Sequence, residues 1–150
     1  MPSIHIIYAS TSGHTEYVVN EIIATAKGVE IEKQRAELAQ PEDLLKSDIL
    51  ILASSTWNTG STEGQLNPHM HALLRDRAKN VDLAKKKVGV IGLGDDRYYY
   101  TARAADLMEE FVQTHHGILI KPTLRIINEP YGQEKTVQAW TKKFLETLTS

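Results

Sequence analysis

Three short aliphatic runs, Ile4 to Tyr8, Ile49 to Ala53 and Val88 to Leu93, restrict what this chain can become more than any other feature of it. Each is continuous rather than alternating, the pattern of a strand covered on both faces, as in a parallel sheet. Between and beyond them, apolar residues return at helical spacing. Val18, Val19, Ile22, Ile23 and Ala26 form one stripe, and Leu66, Met70, Leu73 and Leu74 a second. Leu107, Met108, Phe111 and Val112 form a third, followed by Val137, Trp140, Phe144, Leu145 and Leu148. Stripes of this kind bury one helix face, so these residues read as core. Glu30 to Arg35 is a weaker, polar strand suited to a sheet edge, and Pro41 to Leu45 a short helical turn. Ile118 to Ile127 reads as a last strand interrupted by Pro122, again edge-like. Strand and helix thus alternate five times across residues 1–150, with no repeat or linker. The predicted fold is a single α/β domain in three layers, a doubly wound five-stranded parallel sheet with helices on both faces.

In such sheets ligands bind beyond the carboxyl ends of the strands, at a switch in strand order. The loops after Tyr8, Ala53 and Leu93 are therefore the candidates. Ser10-Thr11-Ser12-Gly13-His14-Thr15 offers four hydroxyls and a tight turn leading into a helix whose first N–H groups lack partners. That combination suits an anion held by dipoles. No Gly-Lys-Ser/Thr follows, so it is not a nucleoside-triphosphate loop, and it lacks the three glycines of the dinucleotide fingerprint. No Lys or Arg lies between residues 9 and 26, leaving neutral donors only. A helix capped at Ser12 with no ligand is the plainer alternative.

The second loop, Ser54-Ser55-Thr56-Trp57-Asn58-Thr59-Gly60, sets one indole among hydroxyls, outside any apolar period. Trp57 is a candidate stacking surface for a flat ring, with local packing or snorkelling of the indole as the plainer alternative. The third loop, Leu93-Gly94-Asp95-Asp96-Arg97-Tyr98-Tyr99-Tyr100, brings aromatics to the neighbouring strand end. Composition narrows the chemistry. With no cysteine, the chain has no disulfide, thiolate metal site or Cys nucleophile. A net charge of −2, with no basic block longer than Lys85 to Lys87, argues against nucleic acid. No apolar run reaches the ~18 residues of a membrane span, and the expected location is the cytoplasm. His69 and His71 miss the i, i+4 spacing of a helical metal pair, and His115-His116 precede Gly117 as a helix end does. No metal site and no catalytic residue is expected.

On the Ser-Thr-Ser-Gly-His-Thr-Glu loop, Ser-Thr-Trp-Asn-Thr-Gly, Gly-Leu-Gly-Asp-Asp-Arg-Tyr-Tyr-Tyr and the closing Leu124-Arg125-Ile126 strand, the sequence resembles the flavodoxins over essentially its whole length. Residues 117–127 carry no extra loop, which resembles the short-chain class. The resemblance implies strand order 2-1-3-4-5 and a monomeric carrier of electrons on non-covalent FMN, through oxidised, semiquinone and hydroquinone states. Its implied partners are a flavodoxin reductase or another donor, and an acceptor enzyme. It places Ser10, Thr11, Ser12, Gly13, His14 and Thr15, with Ser55, around the FMN phosphate. Trp57 would cover one flavin face and Tyr98 the other, with Leu93, Gly94 and Asp95 along the pyrimidine edge. Ser54, Thr56, Thr59, Gly60 and Tyr100 complete those loops. Asn58 departs from the glycine frequent in short-chain members, which implies a moderate rather than strong stabilisation of the one-electron state. Glu63, Asp95 and Asp96, beside Arg97 and Arg103, make a less acidic surround than in many flavodoxins, implying a less negative second couple. Two rivals share the scaffold. A small FMN-dependent quinone or porphyrinogen reductase would need an insertion to build a substrate pocket. A phosphoacceptor module would need an Asp where this chain has Ser54 and Ser55.

Overall fold

The computed structural model describes residues 2–59, 62–95 and 102–149, with the backbone alone described at Asn58, Thr59, Thr62, Glu63 and Thr149. Gly60, Tyr98 and Tyr100, with Asp96 and Arg97, lie outside the described residues. The aliphatic runs form β1 (Ile4–Ala9), β3 (Ile49–Thr59) and β5 (Lys87–Gly94), and the polar edge forms β2 (Ile31–Arg35). The interrupted run forms two pieces, β6 (Ile118–Leu119) and β7 (Leu124–Ile127), both parallel to β5. Proline has no N–H to give a ladder, and the break falls at Pro122. The order β2-β1-β3-β5-β6/β7 is the expected 2-1-3-4-5, its fifth position split.

Alternate side chains of the central strands fill two core layers, as a period of two requires. On one face Ile4, Ile6, Ile49, Ile51 and Ile91 meet Val18, Val19 and Ile22 of α1 (His14–Thr25), together with Val137, Trp140 and Phe144 of α4 (Glu134–Thr149). On the other, Ile7, Leu50, Leu52 and Val90 meet Leu73 and Leu74, and Leu107, Met108 and Phe111 of α3 (Arg103–Thr114).

One expectation and one alternative are corrected. Ser54 to Thr59 is not a loop: β3 continues through it and β4 (Thr62–Leu66) returns antiparallel, pairing Thr56 with Leu66 and Trp57 with Gln65. Polar residues hold a strand here because their hydroxyls are satisfied inside the fold. Ser54 is fully buried, donates to the Ser55 carbonyl (2.9 Å) and accepts from the Asn67 amide (3.1 Å). Leu66 consequently ends β4 rather than joining the helical stripe. The helix α2 (Pro68–His71) starts after it, capped by the Asn67 side chain accepting from the His69 amide at 2.9 Å, and runs into a π-helical turn, Ala72–Arg77. The ladder shifts register between Trp57 and Thr59, so Asn58 sits at a bulge. The second correction is that α1 is not capped by Ser12. Gly13 occupies the cap position with φ of 93°, and the hydroxyl that reaches the first turn is Ser10's.

Candidate cofactor site

A cleft of about 620 Å³ opens beyond the carboxyl ends of β1, β3, β5 and β7. Its volume falls within the range of sites for drug-sized ligands, ~300–1,000 Å³. The loop after β1 contributes Ser12 and His14 to its lining. Ser10 is buried, and its Oγ accepts from the amides of Gly13 (3.1 Å) and Glu16 (3.3 Å), folding the chain back on itself. That turn needs the left-handed conformation, which Gly13 supplies without a Cβ penalty. Thr11 Oγ1 accepts from Asn67 Nδ2 at 3.0 Å, and the Asn67 amide bonds the Ser54 hydroxyl and Ser55 carbonyl. The first and second loops are thereby fastened together.

Ser12, His14, Ser55, Thr56 and Trp57 line the cleft, with Leu93, Gly94 and Asp95 along its far side. Trp57 is 36% exposed, and its Nε1–H donates to Ser55 Oγ at 2.7 Å, which fixes the ring's orientation. Thr56 lines the wall but spends its hydroxyl on structure, donating to the Leu93 carbonyl (2.9 Å) and accepting from the Ala104 amide (3.0 Å). Ser54, Ser10, Thr11 and Gly13 shape the loops from behind.

The site has parts that local reading missed. Asn128 and Glu129 also line it, and the Asn128 amide donates to the Gly94 carbonyl at 2.7 Å. The rule that placed the other loops covers the end of β7 equally, and Asn128-Glu129-Pro130 is a turn signal there. Glu129 adds a carboxylate that the count of Glu63, Asp95 and Asp96 omitted. Tyr131 stands edge-on to His14 and Tyr17, with ring centroids 5.5 Å and 4.8 Å away. Nothing near Tyr131 in sequence announces that contact.

Does this donor set suit a phosphate monoester? Thr15 is buried in the first turn of α1, and its Oγ1 has no partner among the described residues. An orphaned hydroxyl costs ~1–3 kcal/mol and calls for an explanation. Beside it are helix-terminal N–H groups, the neutral donors from which anion sites are made. The residues fit. No His, Asp or Glu cluster among the described residues could hold a metal ion.

The flavodoxin family model matches residues 6–140. This chain belongs to the flavodoxin family. A flavodoxin of Maridesulfovibrio salexigens is 34% identical over 133 residues, covering 86% of this chain and 88% of that protein. The structure of oxidised Flavodoxin 2 from Bacillus cereus superposes with a TM-score of 0.86 at 32% identity, covering 97% of this chain and 99% of that one. A Fusobacterium nucleatum flavodoxin solved bound to flavin mononucleotide has the same fold, with a TM-score of 0.79 at 17% identity and coverage of 98% and 99%. Flavodoxins are electron carriers rather than enzymes. The chain is accordingly an electron-transfer protein with FMN as its cofactor, serving redox partners. Among the described residues no helix is long and apolar enough to cross a membrane.

Elsewhere in the flavodoxin fold, α1 is tied to the start of α4 by Tyr17, whose hydroxyl donates to Glu134; Glu134 also accepts from the Gly132 amide at 3.1 Å. The Tyr17 bond is the main cause holding the Glu134 carboxyl below its usual range, and the same bond pushes Tyr17 up to about 12. A depressed carboxyl stabilises the fold above its ordinary value of 4.5 and loses that contribution as pH falls through its lowered folded value. A raised tyrosine contributes fully below its ordinary value of 10.0, and loses this as pH rises through about 12. Tyr17→Phe is expected to return the Glu134 titration, followed by carboxyl NMR, toward the ordinary range and to flatten both limbs of the stability profile.

Proposed function

We propose that the cleft holds FMN with its phosphate in the loop Ser10 to Thr15 and Ser55, and its ring against Trp57. The observation that carries this reading is the convergence on one cleft of the hydroxyls of Ser12 and Ser55 and the exposed Trp57 indole, with a buried Thr15 hydroxyl in the same first loop that has no partner among the described residues. When bound, the flavin supplies the one-electron chemistry, which the protein tunes through differential binding of its redox states. Trp57 offers an electron-rich face, which suits an electron-poor ring better than an electron-rich one and so favours a low potential. The Leu93 to Asp95 backbone, which lines the cleft, is proposed to bond the ring's polar edge. Tyr98 is proposed for the second face, and Thr59, Gly60 and Tyr100 for the loops around it. Asn58, at the β3 bulge, is proposed as the residue whose peptide reorients toward the ring.

The proposal extends to a single domain over residues 1–150, a monomer in the cytoplasm, a reductase-type donor and an acceptor enzyme. A quinone or porphyrinogen reductase on this scaffold is not favoured by the relatives. The purified protein should show flavin absorption bands, and FMN added to stripped protein should quench fluorescence from Trp57 in a Trp140→Phe background. Folded protein that stays colourless and unquenched in excess FMN would overturn the reading.

A further inference from the structure

The loop after β1 has no cation in its own sequence, yet the fold brings one beneath it. The register pairs Arg35, the last residue of β2, with Tyr8 near the end of β1. From there the Arg35 guanidinium lies over the Tyr8 ring, 5.5 Å from its centroid, and its Nη2 donates to the Ser10 carbonyl. Glu37 accepts from Nε at 3.0 Å, and Glu16 pairs with Nη1 at 3.6 Å. The fork is therefore held in place from three sides.

The Ser10 carbonyl and the Thr11 N–H belong to the same peptide unit. A cation bonded to the oxygen polarises that unit and makes the N–H on its far side a stronger donor, since chained hydrogen bonds reinforce one another at low dielectric. We infer that Arg35 is a positioning residue for the phosphate subsite, orienting and polarising the Ser10–Thr11 peptide so that the Thr11 amide favours a dianion. Arg35 itself is not among the residues that line the cleft. The inference rests on the reading of this cleft as the FMN site and adds to it a residue from outside the three strand-end loops.

A comparison of FMN with riboflavin, which has the same ring and ribityl chain without the phosphate, separates this role from a structural one. Arg35→Gln should weaken FMN binding by about three- to tenfold, since the Thr11 donor stays and only its polarisation and orientation are lost, while riboflavin binding changes less than about twofold. Arg35→Lys keeps a positive donor within reach of the Ser10 carbonyl and should retain most of the FMN preference, although it lacks the fork that also holds Glu37. Equal losses for both flavins, or none for either, would overturn the inference. If the Gln variant does not fold, the Lys variant decides: a kept preference supports the inference and a lost one defeats it. Wild-type protein that binds neither flavin would instead defeat the cofactor reading beneath it.

Discussion

Thr15→Val is expected to leave the flavin-free protein as stable as before, or more stable by up to ~1–2 kcal/mol, while weakening FMN binding by about 10- to 150-fold. The two effects have opposite signs because the hydroxyl has opposite standing in the two states. In the free protein Thr15 is 1% exposed and its Oγ1 has no partner among the described residues, so removing the oxygen removes an unpaid desolvation cost. Valine keeps the branched shape and its one preferred helical rotamer, and the first turn of α1 need not repack. In the proposed complex the same hydroxyl donates to the phosphate, a charged acceptor, a bond worth ~1.5–3 kcal/mol. Urea unfolding of the stripped protein and a fluorescence titration with FMN measure the two halves. An ordinary core position would lose stability and affinity together. Undiminished FMN affinity would remove Thr15 from the phosphate subsite.

Gly94→Ala should cost stability on a larger scale, ~3 kcal/mol, and disturb the cleft at the same time. A Cβ built on Gly94 meets the Ala102 nitrogen at 2.1 Å and its Cα at 2.7 Å. Both are backbone atoms, so no side chain can swing aside to admit the methyl group. The end of β5 and the start of α3 would have to separate. Gly94 lines the cleft, and its carbonyl accepts from the Asn128 amide, so the displacement passes into the walls on both sides. Thermal unfolding with and without FMN should show a lowered midpoint and a smaller flavin-induced rise. Gly13→Ala makes a control of another kind: a Cβ there meets nothing within 4 Å, and the strain comes only from φ of 93°. Its cost should stay near the ~1–2 kcal/mol of placing an L-residue in the left-handed region. A Gly94→Ala variant no less stable than Gly13→Ala would refute the close-approach argument.

The sequence by itself determined the parallel sheet, because only strands buried on both faces need unbroken apolar runs such as Ile49 to Ala53, and a parallel sheet commits its ligand site to the carboxyl ends. It likewise determined the chemistry of the first loop, whose hydroxyls and glycine are contiguous in the chain. Hidden from it was every feature whose partners come from different strands. Ser54 and Thr56 read as loop residues because their strand is held by hydroxyl bonds to Asn67, Leu93 and Ala104 rather than by apolar periodicity. Ser10, not Ser12, serves the start of α1 because Gly13 turns the chain back toward it. Arg35 meets Ser10 only through the register of β1 on β2, and Asn128 meets Gly94 only through that of β7 on β5. Tertiary structure alone decided these meetings, since a register is chosen by the burial of whole strands and leaves no local pattern at the residues it happens to bring together.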